Sequence, residues 1–131
     1  MRTIKGGLVV LLFCSLVVFV FVSPDFAQGN NSGFVLPPDP GKAGKVTLLG
    51  IDTDGDGVRD DIQRYIYFTY PDDKKLRLGL TYYAIEFQGV LKDANDREAA
   101  YDHANKMARH GECLFYLKDE ESFDIIDALL A

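Results

Sequence analysis

The 131-residue sequence predicts a mainly α fold, in which a small domain of about four helices follows an acidic loop that no helix enters. Two observations predict this fold. Apolar residues recur at the 3.6-residue spacing of an amphipathic helix through most of the chain after residue 60. Capping residues, prolines and glycines divide this part of the chain into separate helices. Residues 46–131 are numerous enough to bury one modest core.

Residues 1–27 are predicted to form a signal peptide. Arg2 and Lys5 provide a short basic start, and residues 8–22 then form an apolar stretch without a charge. Small residues suited to cleavage follow at 27–29. A membrane-spanning helix needs about 20 apolar residues, so cleavage is favoured, and an uncleaved N-terminal membrane anchor is the alternative. The expected location is the periplasm, the cell envelope or the medium.

The net charge excludes two classes of partner. The whole chain carries −6 at pH 7, from 14 basic and 20 acidic residues, and loss of two basic and one acidic residue with the signal peptide leaves −7. Such a chain repels nucleic acid and anionic membrane surfaces. We therefore expect no nucleic acid as a partner, and a membrane only if the N-terminal segment stays uncleaved.

Residues 28–45 are predicted to be a linker rich in proline, glycine and asparagine. Proline removes hydrogen-bond donors, and this composition cannot bury a core. The next segment, residues 46–51, is too short and too β-branched for a helix that enters the acidic loop. We expect it to be an extended lead-in.

The acidic loop D-T-D-G-D-G-V-R-D-D, residues 52–61, holds the most informative chemistry of the chain. Its five acidic side chains repel one another unless a cation lies among them. Asp52, Asp54 and Asp56 occupy alternate positions, and Gly57 follows where a sharp turn requires a residue without a side chain. Hard carboxylate oxygens favour calcium over zinc or copper.

This motif resembles the DxDxDG loops of thrombospondin type 3 repeats, dockerins and related EF-hand-like calcium-binding proteins that bacteria export. The resemblance implies Ca²⁺ as the cofactor, held by loop carboxylates and one backbone carbonyl. The ligands that it implies here are Asp52, Asp54, Asp56, the Val58 carbonyl and Asp60, with Asp61 or Gln63 completing the shell directly or through water.

Three features depart from the pattern of these families. Position 12 of the loop, which usually offers a bidentate carboxylate, is the neutral Gln63. Position 8, which is usually apolar so that two loops can pair, is Arg59, and the loop occurs only once. Fewer charged ligands weaken binding, so the expected dissociation constant lies in the extracellular range of roughly 10⁻⁴ to 10⁻³ M.

An acidic turn that binds no metal is the alternative explanation. Asp60 is then the N-cap of the following helix, and Gln63, three residues later, completes a capping box. Aspartate and glycine are also common in turns. This alternative explains Asp60 and Gln63, but it does not explain three aspartates in strict alternation.

The first two helices are predicted from their apolar stripes. The first contains Ile62, Tyr65, Ile66 and Thr69 and ends before Pro71. Asp72 is the expected N-cap of the second helix, whose stripe is the strongest in the chain. That stripe consists of Leu76, Leu80, Tyr83, Ala84, Phe87, Val90 and Leu91.

The third and fourth helices are predicted chiefly from their boundaries. Asn95 and Glu98 form a capping box for the third helix, and Gly111 ends it. Residues 113–117 then form either a helical turn or a short strand. Asp119 is the expected N-cap of the fourth helix. Its inward face consists of Phe123, Ile126, Leu129 and Leu130.

The sequence contains no recognisable catalytic motif. His103 and His110 lie seven residues apart and Cys113 follows, but polar residues near a helix end explain them more simply than a zinc site does. Cys113 is the only thiol after cleavage, and its apolar neighbours predict that it is buried. We therefore expect a monomer without enzymatic activity.

Three functions are consistent with these features, in decreasing order of support. The first is an exported, calcium-binding, non-catalytic structural or interaction module of the cell envelope, in which the ion holds the lead-in against the first helix. The second is a membrane-tethered envelope protein whose helical domain binds a partner, with calcium incidental. The third is an enzyme whose residues form no detectable motif.

Overall fold

The computed structural model describes residues 35–131, so the predicted signal peptide and residues 28–34 of the predicted linker lie outside the described residues. Between residues 35 and 131 the chain forms four α-helices and no strand, which confirms the mainly α fold. The helices are α1 (Asp60–Thr69), α2 (Lys74–Lys92), α3 (Arg97–Lys118) and α4 (Glu121–Leu130), and a short 3₁₀ helix, Gly41–Lys45, precedes them.

The core lies along α2 and α3, the two longest helices, which pack against each other more extensively than any other pair. Helix α1 packs on α2, and α4 packs on α3 and α1. The buried cluster joins Leu76 and Leu80 of α2 to Ile66 of α1, Leu114 of α3 and Leu129 of α4. Burial of each such side chain contributes roughly 1.5–3 kcal/mol, so this cluster positions all four helices.

The N-caps of the two long helices are aspartates that lie one residue later than the sequence predicted. Asp73 is the N-cap of α2 in place of Asp72, and its carboxylate accepts a hydrogen bond from the Leu76 N–H at 2.9 Å. Asp96 is the N-cap of α3 in place of Asn95. Both members of each pair have side chains that can cap a helix, so local sequence alone does not choose between them.

Helix α3 continues past Gly111, so the prediction that this glycine ends the helix is wrong. The fully buried Leu114 packs against α2 and holds the last turns of α3 in place. Lys118 Nζ lies 2.9 Å from Asp73 Oδ2 and joins the end of α3 to the start of α2. Residues 113–117 are therefore helical.

Asp119 ends α3 and does not cap α4. Its φ of +48° leaves the helical region of the backbone, and Glu120 is the N-cap residue of α4. The buried residues of α4 are Ser122, Ile125 and Leu129. Phe123 is 60% exposed and Leu130 is 42% exposed, so the prediction that they face the core is wrong. The cause is the rotation of α4, which turns Ile125 inward and leaves Phe123 on the outer side.

The prediction that Cys113 is buried is also wrong, because this thiol is exposed. In the continuous α3 helix the inward position belongs to Leu114, and Cys113 lies beside it on the outer surface. Tyr116, one turn later, is 87% exposed. A buried thiol could not have formed a disulfide between two chains, and the exposed Cys113 removes this argument for a monomer. The monomeric state stays a prediction.

The lead-in to the acidic loop is a turn and not an extended segment. The Gly50 N–H donates to the Thr47 carbonyl and to Thr47 Oγ1, both at 3.1 Å. Gly50 has a φ of +64°, a conformation that favours glycine. Residues 35–45 belong to the same compact unit as the helices. Arg64 Nη1 donates to the Pro37 carbonyl at 2.9 Å and fastens this stretch to α1.

Close approach of α2 and α3 requires glycine at position 89. A Cβ atom there would lie 2.4 Å from His103 Nδ1. The imidazole has little freedom to move, because Glu86 Oε2 lies 2.6 Å from Nδ1 and Asp93 Oδ2 lies 3.3 Å from Nε2. Each end of the ring is therefore held by a carboxylate of α2 or of its C-terminal cap.

This packing predicts opposite effects for two glycine-to-alanine substitutions in helix interiors. Gly89→Ala should lower the free energy of unfolding by about 1–2 kcal/mol, because it overpacks the contact with His103. Gly111→Ala should raise it by up to about 1 kcal/mol, since its Cβ would only touch Tyr83 at 3.8 Å and alanine favours the helix. Urea unfolding of both variants measures the difference. Stabilisation by both would show that α2 and α3 do not approach as closely as described.

None of the helices between residues 35 and 131 has both the length and the apolar composition that crossing a membrane requires.

Candidate metal centre

The acidic loop is closed at its ends, and its second half packs against the helical core. The Asp60 N–H, at the start of α1, donates to the Ile51 carbonyl at 2.8 Å and closes the loop. Val58 is 1% exposed and belongs to the core. A Cβ atom at Gly57 would lie 3.6 Å from Ile85 Cγ2, so the loop backbone lies on α2. A change in the loop therefore acts directly on the packing of α1 and α2.

Hydrogen bonds from loop amides to aspartate side chains shape the turns. Asp52 Oδ1 accepts from the Gly55 N–H at 2.8 Å, and Asp52 Oδ2 accepts from the Gly57 N–H at 3.0 Å. Asp56 Oδ1 accepts from the Val58 N–H at 2.8 Å. Gly55 and Gly57 have φ values of +71° and +89°, as expected for residues in sharp turns.

Three of the predicted ligands converge. Asp52, Asp54 and Asp60 each place one carboxylate oxygen within 4.8 Å of the other two. Carboxylates at this separation repel one another, and a cation between them removes the repulsion. Asp52 and Asp54 are exposed and Asp60 is buried, so the cluster opens to solvent on one side.

Asp60 is the deepest member of this group, with 1% of its surface exposed. Its Oδ1 accepts from the Thr53 N–H at 2.9 Å, and its Oδ2 accepts from Thr53 Oγ1 at 2.5 Å. Asp60 therefore ties the first turn of α1 to the beginning of the loop. Sequence analysis missed Thr53, because no local pattern indicates a hydrogen bond across seven residues.

Asp56 is linked to the group through Gln63 of α1. Gln63 Nε2 donates to Asp56 Oδ2 at 2.6 Å and lies 3.4 Å from Asp54 Oδ2. Loss of solvent raises the pKa of Asp56 above its ordinary value of 3.8, the Val58 N–H lowers it, and the negative charges of three other loop aspartates raise it further. The raised pKa has the direction expected for a carboxylate that has lost solvent and lies near like charges.

The other end of the Gln63 amide has no partner among residues 35–131. Gln63 is 4% exposed, and its Oε1 is buried without a hydrogen bond to any described residue. Leaving such an oxygen unpaired costs about 1–3 kcal/mol. An oxygen without a donor, on the same amide group that contacts Asp54 of the cluster and the neighbouring Asp56, fits a site that takes a hard cation.

Asp61 lies apart from the other predicted ligands. Its carboxylate forms a bidentate pair with the Arg59 guanidinium, at 3.0 Å from Nε and 2.7 Å from Nη2. Arg59 also donates to the Gly44 carbonyl at 3.1 Å and the Leu48 carbonyl at 3.2 Å. This pair joins the lead-in to α1.

The capping box considered for the acidic turn does not form. Arg59 is the N-cap residue of α1, and Asp60 is its first helical residue. The Asp60 side chain accepts from Thr53, and the Gln63 side chain contacts Asp56 and Asp54. Both side chains are directed into the loop, so helix capping does not explain them.

Comparison of the chain with known protein families, with curated proteins and with solved structures finds no match.

Proposed function

We propose that the chain is an exported, calcium-binding, non-catalytic module with a structural or interaction role in the cell envelope. Asp52, Asp54 and Asp60 would hold Ca²⁺, with Asp56 and Gln63 from the same cluster. The Val58 carbonyl, at position 7 of the loop, is the remaining expected ligand. Asp61 is engaged with Arg59 and is left out of this set. Export is inferred from the apolar stretch at residues 8–22.

The buried Gln63 Oε1 is the observation that carries this proposal. A cluster of exposed acidic residues alone is common in proteins that bind no ion. Here a buried amide oxygen without a donor belongs to the side chain that contacts two of the aspartates. An all-oxygen set of this kind suits calcium, whereas zinc and copper prefer nitrogen and sulfur.

Calcium would supply positive charge where the loop joins the lead-in to α1. Asp52 belongs to the lead-in side of the loop and Asp60 to α1, so an ion shared by their carboxylates links the two. Because Val58 and Gly57 pack on the helical core, stabilising the loop also stabilises the attachment of α1 to α2.

A second candidate function is binding of a protein partner by the helical domain of a membrane-tethered chain, with calcium incidental. The exposed aromatic pair Phe115 and Phe123 favours it. Their ring centroids lie 5.8 Å apart, and the two residues are 44% and 60% exposed. Recovery of intact residues 8–22 in a membrane fraction, detected by mass spectrometry, would support this candidate, and a chain beginning near residue 28 would support the first.

Calcium should raise the melting temperature of the purified protein. At ten times the dissociation constant the gain is about 1.4 kcal/mol by mass action, or several degrees for a domain of this size. Asp54→Ala should abolish the gain, because Asp54 is exposed and removing it mainly deletes a ligand. The measurement is the melting temperature against calcium concentration up to 10 mM, with a chelator as the reference.

Two controls accompany this measurement. Asp72→Ala removes an exposed aspartate outside the loop and should keep the full response to calcium. Magnesium should stabilise less, since it requires a compact octahedron of ligands. If the wild-type protein shows no shift at 10 mM calcium, the proposed function is wrong.

A further inference from the structure

We infer that Gln63 is an internal competitor of calcium: its amide NH₂ donates to the Asp56 and Asp54 carboxylates when no ion is bound, and the amide turns to present Oε1 when calcium enters. This inference rests on the proposed calcium binding and adds how that binding is regulated. It explains why a neutral residue can stand at the position where related loops have a carboxylate.

The first step of the argument is the position of the amide nitrogen. Nε2 lies 2.6 Å from Asp56 Oδ2 and 3.4 Å from Asp54 Oδ2, so one NH₂ group faces two carboxylates that would otherwise repel each other. Hydrogen bonds to ionised acceptors are stronger than those between neutral groups. The amide thereby supplies part of the positive charge density that a cation would supply.

The second step is the position of the amide oxygen. Oε1 is buried without a partner, so the orientation that suits the carboxylates leaves the oxygen unpaired. The opposite orientation would turn Oε1 towards the carboxylates, where it is favourable only if a cation lies between them. The exchange also moves the NH₂ group into the buried position of Oε1, so calcium must offset the hydrogen bonds to Asp56 and Asp54 that the amide gives up.

The third step is the connection to the fold. Gln63 belongs to α1 and is 4% exposed, and its backbone N–H donates to the Arg59 carbonyl at 2.9 Å. The helix therefore holds the side chain against the loop, and only the amide is free to exchange its ends. With such an internal donor the loop keeps its shape without calcium, and calcium affinity falls because the ion must displace the amide hydrogen bonds.

Two substitutions of Gln63 separate these roles. Gln63→Glu removes the donor and adds a carboxylate, so in chelator its melting temperature should fall below that of the wild type. Its calcium affinity should rise about tenfold or more, because charged ligands tighten such sites. Gln63→Met removes both amide ends, so it should also melt earlier in chelator, but its calcium affinity should fall.

Side-chain amide NMR of the wild-type protein provides a measurement that needs no variant to remain folded. The ¹⁵N-bound NH₂ resonances of Gln63, assigned through their loss in Gln63→Glu or by sequential assignment, should shift on calcium addition, because the NH₂ group leaves Asp56 and Asp54. The NH₂ resonances of Gln88, which donates to the Leu49 carbonyl at 2.6 Å outside the acidic loop, are the control and should stay in place.

The outcomes distinguish this inference from the proposed function. If calcium raises the melting temperature but the Gln63 amide resonances do not respond, or Gln63→Glu and Gln63→Met respond alike to calcium, the inference is overturned and calcium binding stands. If the wild-type melting temperature does not respond to calcium, both are overturned.

Discussion

Replacement of Leu114 by alanine should lower the free energy of unfolding by about 3 kcal/mol, within the range of 2–5 kcal/mol seen for buried leucines. Leu114 is 0% exposed and belongs to the core cluster that joins α3 to the other helices. Its Cδ2 lies 2.8 Å from where a Cβ of Gly79 would be, so α2 passes directly beside it. The cavity left by the substitution cannot close easily, because the backbones already lie close together.

The matched control is Leu117→Ala on the same helix. Leu117 is 37% exposed and should cost below about 1 kcal/mol. Urea unfolding of both variants gives the comparison. Equal effects would show that Leu114 is not buried against α2 as described, and that the last turns of α3 are not packed on that helix.

Replacement of Asp60 by alanine should lower the free energy of unfolding by about 3 kcal/mol even when a chelator removes calcium. Its carboxylate accepts two hydrogen bonds from Thr53 in a position that is 1% exposed. Each hydrogen bond to a charged group contributes about 1.5–3 kcal/mol, and water reaches the exposed Thr53 donors and recovers only part of that energy after the substitution. Relief of repulsion from Asp52 and Asp54 offsets part of this loss.

Two further variants test this explanation. Asp61→Ala removes the neighbouring aspartate, whose partner Arg59 keeps other hydrogen bonds, so we expect a loss of about 1 kcal/mol or less. Thr53→Val removes the hydroxyl donor, and its effect should be much smaller in the Asp60→Ala background than in the wild type. A loss in Asp60→Ala that appears only in calcium would mean that Asp60 is purely a ligand and not a structural residue.

Local sequence was sufficient to predict the existence of the helices and the turns of the loop. Helical periodicity depends on neighbours three and four residues away, and the four helices follow from it. The positive φ of Gly57 follows from its place directly after Asp56. These features involve contacts within one turn of chain, which the order of residues already specifies.

Helix boundaries depended on contacts that local sequence does not contain. Glycine commonly ends helices, yet α3 continues through Gly111. Burial of Leu114 against α2 outweighs the roughly 1 kcal/mol that a glycine costs inside a helix. Because α3 continues as a helix past Gly111, Cys113 lies on its surface. Packing between distant parts of the chain here outweighs the local preference of glycine for the end of a helix.

For the candidate metal centre, the sequence by itself determined the acidic spacing and the turn glycines, and it therefore predicted a site for a hard cation. Only the tertiary structure decided which side chains converge. It directed Asp60 inward to Thr53, paired Asp61 with Arg59, and buried Gln63 with one amide end on Asp56 and the other unpaired. The physical reason is that these orientations depend on how α1 packs on the core, and that packing is set by residues far from the loop along the chain.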